Sequence, residues 1–162
     1  MHDGLRGDAC RRIFAGPMAD ADTDPESLVG TTVNDGRYAI SGLLGVGSQG
    51  ATYEAVDKQR GELIALKRYQ VRGAQSWKDV ELAEREAEVL MRLDHPLVPR
   101  AVERFEEDGA LFLAMERIEG ESLRDAKNLD RREVIRFLGD AARVLDYLHN
   151  RTPPVIHRDI KP

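Results

Sequence analysis

Residues 44–55 have the sequence Leu-Gly-Val-Gly-Ser-Gln-Gly-Ala-Thr-Tyr-Glu-Ala, which places glycines at positions 45, 47 and 50. The spacing Gly-x-Gly-x-x-Gly occurs in several nucleotide-binding folds and in ordinary turns, so the flanking residues must decide its meaning. A dinucleotide-binding fold would continue into a helix, whereas residues 51–56 favour a strand. No Gly-Lys-Ser/Thr follows, which disfavours a Walker-type phosphate loop. The pattern predicts a strand–loop–strand hairpin that either cradles a phosphate or has no ligand.

Short apolar runs separated by turn residues surround this loop, and they predict a small antiparallel sheet. The strands are expected at Tyr38–Leu44, Ala51–Asp57, Leu63–Tyr69, Val102–Glu106 and Ala110–Glu116, with turns at 58–61 and at Asp108-Gly109. Side chains alternate along a strand, so Lys67 is expected on the same face as Ala65, and Ile64 with Leu66 on the other.

A helix is predicted from Ser76 to Leu93, because capping residues precede it and Pro96 follows. Its expected apolar stripe consists of Leu82, Ala83, Val89 and Leu90. Glu86 projects from the middle of that stripe, where a carboxylate needs a partner. Lys67 is the expected partner. The alternatives are an ion pair with a purely structural role, or two unrelated charges that each reach water.

A second helix is predicted from Arg131 to Asn150, with Asp130 as N-cap and Glu133 completing a capping box. Helical spacing predicts burial of one further set of side chains: Ile135, Leu138, Ala142, Leu145 and Leu148. Two prolines, Pro153 and Pro154, end this helix.

The chain then continues with His157-Arg158-Asp159-Ile160-Lys161-Pro162. A carboxylate at Asp159 with a cation at Lys161 combines a base for a hydroxyl proton with a charge that can hold a transferring phosphoryl group. The alternative is a loop of mixed charges that is simply solvated. The apolar pair Val155-Ile156 favours an anchored loop over a solvated one.

Composition limits the class of protein. The 162 residues suit one domain, and 41% hydrophobic residues suit a packed core. The net charge of −5 disfavours binding to nucleic acid or anionic membranes. The single cysteine excludes an intramolecular disulfide, and no apolar run reaches membrane-spanning length.

With no recognisable secretory signal, we expect a cytoplasmic protein. Residues 1–34 are expected to be a flexible tail, with Met18 as an alternative start.

The order of these motifs resembles eukaryotic-like (Hanks-type) Ser/Thr protein kinases from Tyr38 to Pro162. The matching segments are the glycine loop 44–55, Ile64-Ala65-Leu66-Lys67, residues 85–96, Met115-Glu116-Arg117-Ile118 and the segment 157–162. Residues 153–157 are similar to bacterial members. The resemblance implies an α+β fold, in which residues 35–116 form the smaller, ATP-binding lobe with five antiparallel strands and a C-helix. It assigns residues 117–162 to the hinge and the start of the larger lobe.

The resemblance also implies roles for individual residues, with ATP and Mg²⁺ as cofactors and a protein Ser/Thr hydroxyl as acceptor. Lys67 would bind the α- and β-phosphates and pair with Glu86. Asp159 would orient the substrate hydroxyl, and Lys161 would lie near the γ-phosphate. The nucleotide-binding set would be completed by Leu44, Gly45, Gly47, Gly50, Thr52, Ala65, Met115, Glu116, Ile118 and Ser122. Thr52 replaces the valine that usually packs on adenine.

The family's metal-binding Asn and its Asp-Phe-Gly segment would fall after Pro162. We therefore expect the 162 residues alone not to transfer phosphate at a useful rate. The alternative is a short protein of kinase-like fold that binds nucleotide or a partner without catalysis. Without the rest of the larger lobe, helix 131–150 is expected to expose an apolar stripe and to favour aggregation, a dimer or a chaperone contact.

Overall fold

The computed structural model describes residues 24–47, 49–69, 77–120, 123, 126, 129–157 and 160. Within these residues one sheet contains six strands, and all neighbouring strands are antiparallel. The strands are β1 (Thr32–Val33), β2 (Tyr38–Gly47), β3 (Gly50–Asp57), β4 (Glu62–Tyr69), β5 (Ala101–Glu107) and β6 (Ala110–Glu116). Their order across the sheet is β1-β2-β3-β4-β6-β5, which places β4 between β3 and β6. Together with the two helices described below, this sheet confirms the predicted α+β fold.

The short strand β1 is a difference from the five strands expected. It lies in the segment for which the sequence predicts a flexible tail, together with a turn of 3₁₀ helix at Pro25–Leu28. The backbone of Gly30 and Thr31 exchanges hydrogen bonds with Ile40, and Leu28 packs against the core of the sheet. These contacts make residues 24–33 part of the fold, although their polar composition conceals it. Residues 1–23 of the expected tail lie outside the described residues.

Both faces of the sheet carry a hydrophobic cluster. One cluster joins β1 to β4 and β6, and its largest buried side chains include Tyr38, Tyr53 and Leu66. The other comprises Tyr69, Ala83, Ala87, Leu111 and Leu113. Alternation along β4 therefore sends Leu66 to the first face and Lys67 and Tyr69 to the second.

An ion-pair network joins strands that are not neighbours in the sheet. Arg37 donates to both carboxylate oxygens of Asp57, at 3.1 and 2.7 Å, and also to Glu103 on β5 at 2.6 Å. The hydroxyl of Tyr38 donates to the same oxygen of Glu103, and its ring stacks on Phe105. The sheet is therefore curled, because these contacts bring β2 close to β5.

The first helix, α1, spans Trp77–Leu90. Ser76, where the sequence predicts the helix to start, lies outside the described part of the chain. The helix ends three residues before the predicted Leu93, because Arg92 and Leu93 bond to carbonyls only three positions back. The predicted stripe is partly wrong: Leu82 is exposed, and the buried face consists of Val80, Ala83 and Ala87. This face packs against the sheet on the side of β6.

The second helix, α2, spans Arg131–His149, and its predicted capping box is confirmed. Asp130 accepts from the backbone of Glu133, whose side chain accepts from the backbone of Asp130, both at 2.8 Å. The burial predicted from helical spacing is wrong for most of its stripe, whereas the exposed apolar stripe that was the other expectation for this helix is present. Leu148 is buried, but Ile135 and Leu138 are exposed. A pattern of apolar residues at helical spacing indicates a face that can be covered, not one that is covered.

The chain forms two compact units. One contains the described residues up to Leu93 together with Arg100–Arg117, and the other contains Asp94–Pro99 and residues from Ile118 onward. In the second unit the rings of His95 and Tyr147 lie 4.9 Å apart, and the backbone N–H of Asp94 donates to the Tyr147 hydroxyl. Neither helix in the described part of the chain is long and apolar enough to cross a membrane.

Candidate active site

The glycine loop is the turn of the β2–β3 hairpin. Gly47 pairs with Gly50 at the end of the ladder, and Gln49 lies in the turn. Residue 48 lies outside the described part of the chain. Gly50 has a φ of 140°, a conformation that other residues rarely adopt. Apart from Gly45 itself and its two chain neighbours, no residue has an atom within 4 Å of the position that a Cβ at Gly45 would occupy. The hairpin predicted from the sequence is present, and its backbone is open to close approach by a ligand.

Lys67 lies on β4, the strand that pairs with β3 of this hairpin. In the ladder it pairs with Thr52 of β3 on one side and with Leu113 of β6 on the other. Its side chain is 18% exposed, because the second hydrophobic cluster and α1 flank it. An ammonium group held this close to apolar surroundings requires acceptors that compensate for lost hydration.

Glu86 supplies the first of these acceptors. Lys67 Nζ donates to Glu86 Oε1 at 2.7 Å, so the ion pair predicted from the two sequence patterns is formed. Ala83 and Ala87 on the same helix face are buried, and their small size allows α1 to approach the sheet. The Glu86 side chain is 31% exposed, so the pair lies at the edge of the helix–sheet interface. A partly buried pair is screened less by water and salt than a surface pair is.

Tyr69 is a member of this site that the sequence reasoning missed. Its ring is buried, and Lys67 Nζ lies 4.5 Å from the ring centroid, within the range of a cation–π contact. Its hydroxyl donates to Glu86 Oε1 at 3.4 Å. Burial, reinforced by the charge of Glu86, raises the pKa of Tyr69 well above its usual range. The signal was available, because a residue two positions after Lys67 on a strand shares its face.

Gln49 is the second residue that was missed. Lys67 Nζ donates to Gln49 Oε1 at 2.9 Å, which joins the turn of the glycine loop to the lysine. Ladder pairing explains the approach, because β3 lies directly beside β4 and Gly50 pairs with Tyr69. Sequence alone offered no signal beyond the place of Gln49 at the tip of the hairpin.

Other predicted nucleotide-binding residues lie along the same part of the sheet. Ala65 is buried and pairs with Met115, and Thr52 pairs with Gly45 as well as with Lys67. Leu44 is exposed on β2. The fold thus brings residues of β2, β3, β4 and β6 next to each other in register.

The end of β6 carries the predicted hinge. The backbone N–H of Glu116 donates to the carbonyl of Arg100 at 2.9 Å. Arg117 is not a free surface cation, because its Nε lies 2.8 Å from Glu54 Oε2. Ile118 is exposed and belongs to the second unit. Ser122, Asp159 and Lys161 lie outside the described residues.

The donor set around Lys67 suits phosphate oxygens. A lysine ammonium is a common phosphate ligand, and a glycine turn without obstructing Cβ atoms allows backbone N–H groups to approach an anion. The described residues contain no group of three or more His, Cys, Asp or Glu side chains that could hold a metal ion. A pocket of about 660 Å³ lies elsewhere, between His95 and the C-terminal half of α2, and contains none of the predicted site residues.

Comparison with known proteins agrees with this geometry. Residues 38–162 match the family described as "Protein kinase domain". Serine/threonine-protein kinase B of Synechocystis sp. is 40% identical over 139 residues, which cover 79% of this chain and 24% of that protein. Serine/threonine-protein kinase PknJ of Mycobacterium tuberculosis is 34% identical over 131 residues, which cover 77% of this chain and 21% of that protein.

The chain thus spans about a quarter or less of the length of these relatives. The glycine hairpin, the lysine on the adjacent strand and its glutamate on α1 occur in the order that the kinase resemblance implied. The match over residues 38–162 and the identity to Ser/Thr kinases confirm that resemblance. The chain belongs to the protein kinase domain family.

Proposed function

We propose that this chain provides the ATP-binding part of a Ser/Thr protein kinase, which transfers the γ-phosphoryl group of ATP to a protein Ser or Thr hydroxyl. The observation that carries the proposal is the 2.7 Å ion pair between Lys67 and Glu86 beside the open glycine hairpin. A lysine fixed by a glutamate holds its ammonium in one place, so phosphate oxygens meet a positioned charge rather than a mobile one.

In this proposal the nucleotide lies against the sheet, with its phosphates beneath the glycine hairpin. Lys67 binds the α- and β-phosphates, and Glu86 orients Lys67. Ala65 and Met115 form a ladder pair, and Thr52 pairs with Lys67 two residues along β4 from Ala65, so these three residues would contact the adenine. The remaining nucleotide contacts are proposed for Leu44, Gly45, Gly47, Gly50, Ser122 and the backbone of Glu116 and Ile118.

Residues 35–116 are proposed as the smaller lobe of the kinase, and residues 117–162 as the hinge and the start of the larger lobe. Asp159 would orient the acceptor hydroxyl, and Lys161 would stabilise charge on the transferring group. Mg²⁺ bound to the phosphates would neutralise the charge that develops during transfer.

The proposed setting is the cytoplasm, with protein substrates as partners. The exposed side chains of Ile135 and Leu138 on α2 support a further contact of this segment with a second protein, such as a chaperone or another copy.

The test is transfer of labelled γ-phosphate from ATP to a basic protein by the natural gene product that contains this sequence. Lys67→Met and Asp159→Asn should each abolish incorporation. Lys58→Met changes an exposed lysine in the β3–β4 turn in the same way and should leave activity unchanged. Incorporation that survives both site substitutions would refute the assigned roles.

A further inference from the structure

The ammonium group of Lys67 has contacts on three sides within the protein. It donates to Glu86 Oε1 at 2.7 Å and to Gln49 Oε1 at 2.9 Å, and it faces the ring of Tyr69 at 4.5 Å. An ammonium has three N–H donors. Glu86 and Gln49 accept two of them, and the ring of Tyr69 lies on a third side. A phosphate oxygen that approaches Lys67 on the side of Gln49 competes with its amide oxygen.

The three neighbours differ in how readily they can be replaced. Glu86 is charged and partly buried on a 14-residue helix, and Tyr69 is held in the second hydrophobic cluster. Gln49 offers a neutral amide oxygen from an exposed position at the tip of a hairpin. Hydrogen bonds to charged acceptors are stronger than those to neutral ones. The contact with Gln49 is the one that costs least to break.

We propose that Gln49 is an intramolecular competitor of phosphate at Lys67 and thereby sets the affinity of the site for nucleotide phosphates. The inference rests on the proposed function of Lys67. When a phosphate oxygen takes the place of Gln49 Oε1, the tip of the glycine hairpin is released from the lysine. Lys67 and Glu86 remain paired throughout, so the exchange involves only the neutral acceptor.

With competition of this kind, the apparent affinity for phosphate equals the intrinsic affinity multiplied by the fraction of molecules in which Lys67 is not bound to Gln49. A typical intramolecular hydrogen bond corresponds to about a fivefold effect, and we take that value here because the acceptor Gln49 is neutral and exposed. Removing the acceptor should therefore tighten the binding of ligands that carry phosphates. Ligands without phosphates do not use Lys67 and should bind as before.

The experiment measures the dissociation constants of ADP and of adenosine by calorimetry with the purified chain. Gln49→Met keeps the length of the side chain and removes its acceptor, and Gln49→Ala removes both. Gln59→Met makes the same exchange in the exposed turn between β3 and β4 and serves as the matched control. We expect both Gln49 variants to bind ADP about fivefold more tightly, with unchanged adenosine affinity. Gln59→Met should bind both ligands as the unaltered chain does.

A second comparison uses the Lys67→Met background, which lacks the ammonium group for which Gln49 and phosphate compete. There Gln49→Met should leave ADP affinity unchanged, because the two residues act on one interaction. The proposal is overturned if Gln49→Met binds ADP no more tightly than the unaltered chain. It is equally overturned if adenosine binding tightens as much as ADP binding, or if the effect persists without Lys67.

Failure of the inference is distinguishable from failure of the proposed function. If the unaltered chain binds ADP in a manner that requires Lys67, and Gln49→Met changes nothing, the nucleotide site stands and the role of Gln49 is wrong. If neither the unaltered chain nor Gln49→Met binds ADP, the nucleotide site itself is wrong and the role of Gln49 is refuted with it.

Discussion

The hydroxyl of Tyr69 donates to Oε1 of Glu86, the same carboxylate oxygen that lies 2.7 Å from Lys67 Nζ. Its ring forms one wall beside the ammonium of Lys67. The tyrosine therefore contacts both members of the ion pair and restricts the side-chain positions in which they can meet. Because Tyr69 belongs to the cluster between sheet and α1, packing of the helix and geometry of the pair are coupled.

Replacing Tyr69 should show how much this coupling contributes. Tyr69→Phe removes only the long hydrogen bond, and we expect a loss of about 0.5–1 kcal/mol in the free energy of unfolding. Tyr69→Leu also loses the cation–π contact and aromatic packing, which should cost at least about 1 kcal/mol more. Urea unfolding of the purified variants measures both values. Equal stability of the two variants and the unaltered chain would contradict the role given to Tyr69.

The second prediction concerns the buried carboxylate of Asp57. Its hydrogen bonds from Arg37, opposed by burial, hold its pKa below the ordinary value of 3.8. On acidification Asp57 is therefore protonated in the unfolded chain before it is protonated in the folded chain. The contribution of its carboxylate to the free energy of unfolding is present above about pH 4 and is lost as the pH falls below that value. Asp57→Asn should lower the free energy of unfolding by about 3 kcal/mol at neutral pH. The difference between the variant and the unaltered chain should shrink between pH 4 and pH 2.

Asp140→Asn provides the control for acidification. Asp140 pairs with the exposed Arg143 on α2, and such surface pairs contribute little. Its effect on the free energy of unfolding should stay below about 0.5 kcal/mol at every pH. If the effect of Asp57→Asn is independent of pH, the contribution assigned to the charge of Asp57 is wrong.

The third prediction concerns the start of α2. Asp130→Ala removes one half of the capping box and a negative charge near the helix N-terminus, which should cost about 1 kcal/mol. Asp130→Ser retains an acceptor and should recover most of that loss. Hydrogen exchange of the amides of residues 132–134 reports the effect locally. Exchange that is equally slow in the alanine variant would show that the cap does not stabilise this end.

The fourth prediction concerns the outer face of α2. Ile135 is 58% and Leu138 60% exposed, whereas Leu148 is 4% exposed. The double variant Ile135→Gln/Leu138→Gln should bind less of a hydrophobic dye and remain soluble at higher concentration. Its free energy of unfolding should change by less than about 0.5 kcal/mol. Leu148→Gln should destabilise the chain strongly, since it buries an amide without a partner. Unchanged dye binding in the double variant would contradict the conclusion that Ile135 and Leu138 form an exposed apolar face.

The strands and the Lys67–Glu86 pair could be predicted because each follows from a local pattern. Alternation places Lys67 on one face of β4, and a carboxylate on an apolar helix face requires a partner. Alternation also places Tyr69 on the face of Lys67. The hydrogen bonds of Gln49 with Lys67 and of the Tyr69 hydroxyl with Glu86 could not be predicted in the same way. They depend on the register between β3 and β4 and on the approach of α1, which are set by packing rather than by local sequence.

The errors on the helices have a related cause. Leu82 and Val80 are both apolar, and which of them faces the sheet depends on how closely the helix approaches. The small residues Ala83 and Ala87 allow a close approach that buries Val80 and turns Leu82 to solvent. Similarly, β1 forms because Thr32 pairs with Ala39, a contact that the polar composition of the segment does not reveal.

The proposed function depends on the binding of nucleotide phosphates by Lys67, which is fixed by Glu86. Calorimetric titration of the purified chain with ATP tests it most directly, with Lys58→Met as the control for loss of a lysine. We predict that the unaltered chain and Lys58→Met bind ATP alike, and that Lys67→Met binds at least about tenfold more weakly. ATP binding that is equally tight in Lys67→Met, or absent from the unaltered chain, would contradict the claim.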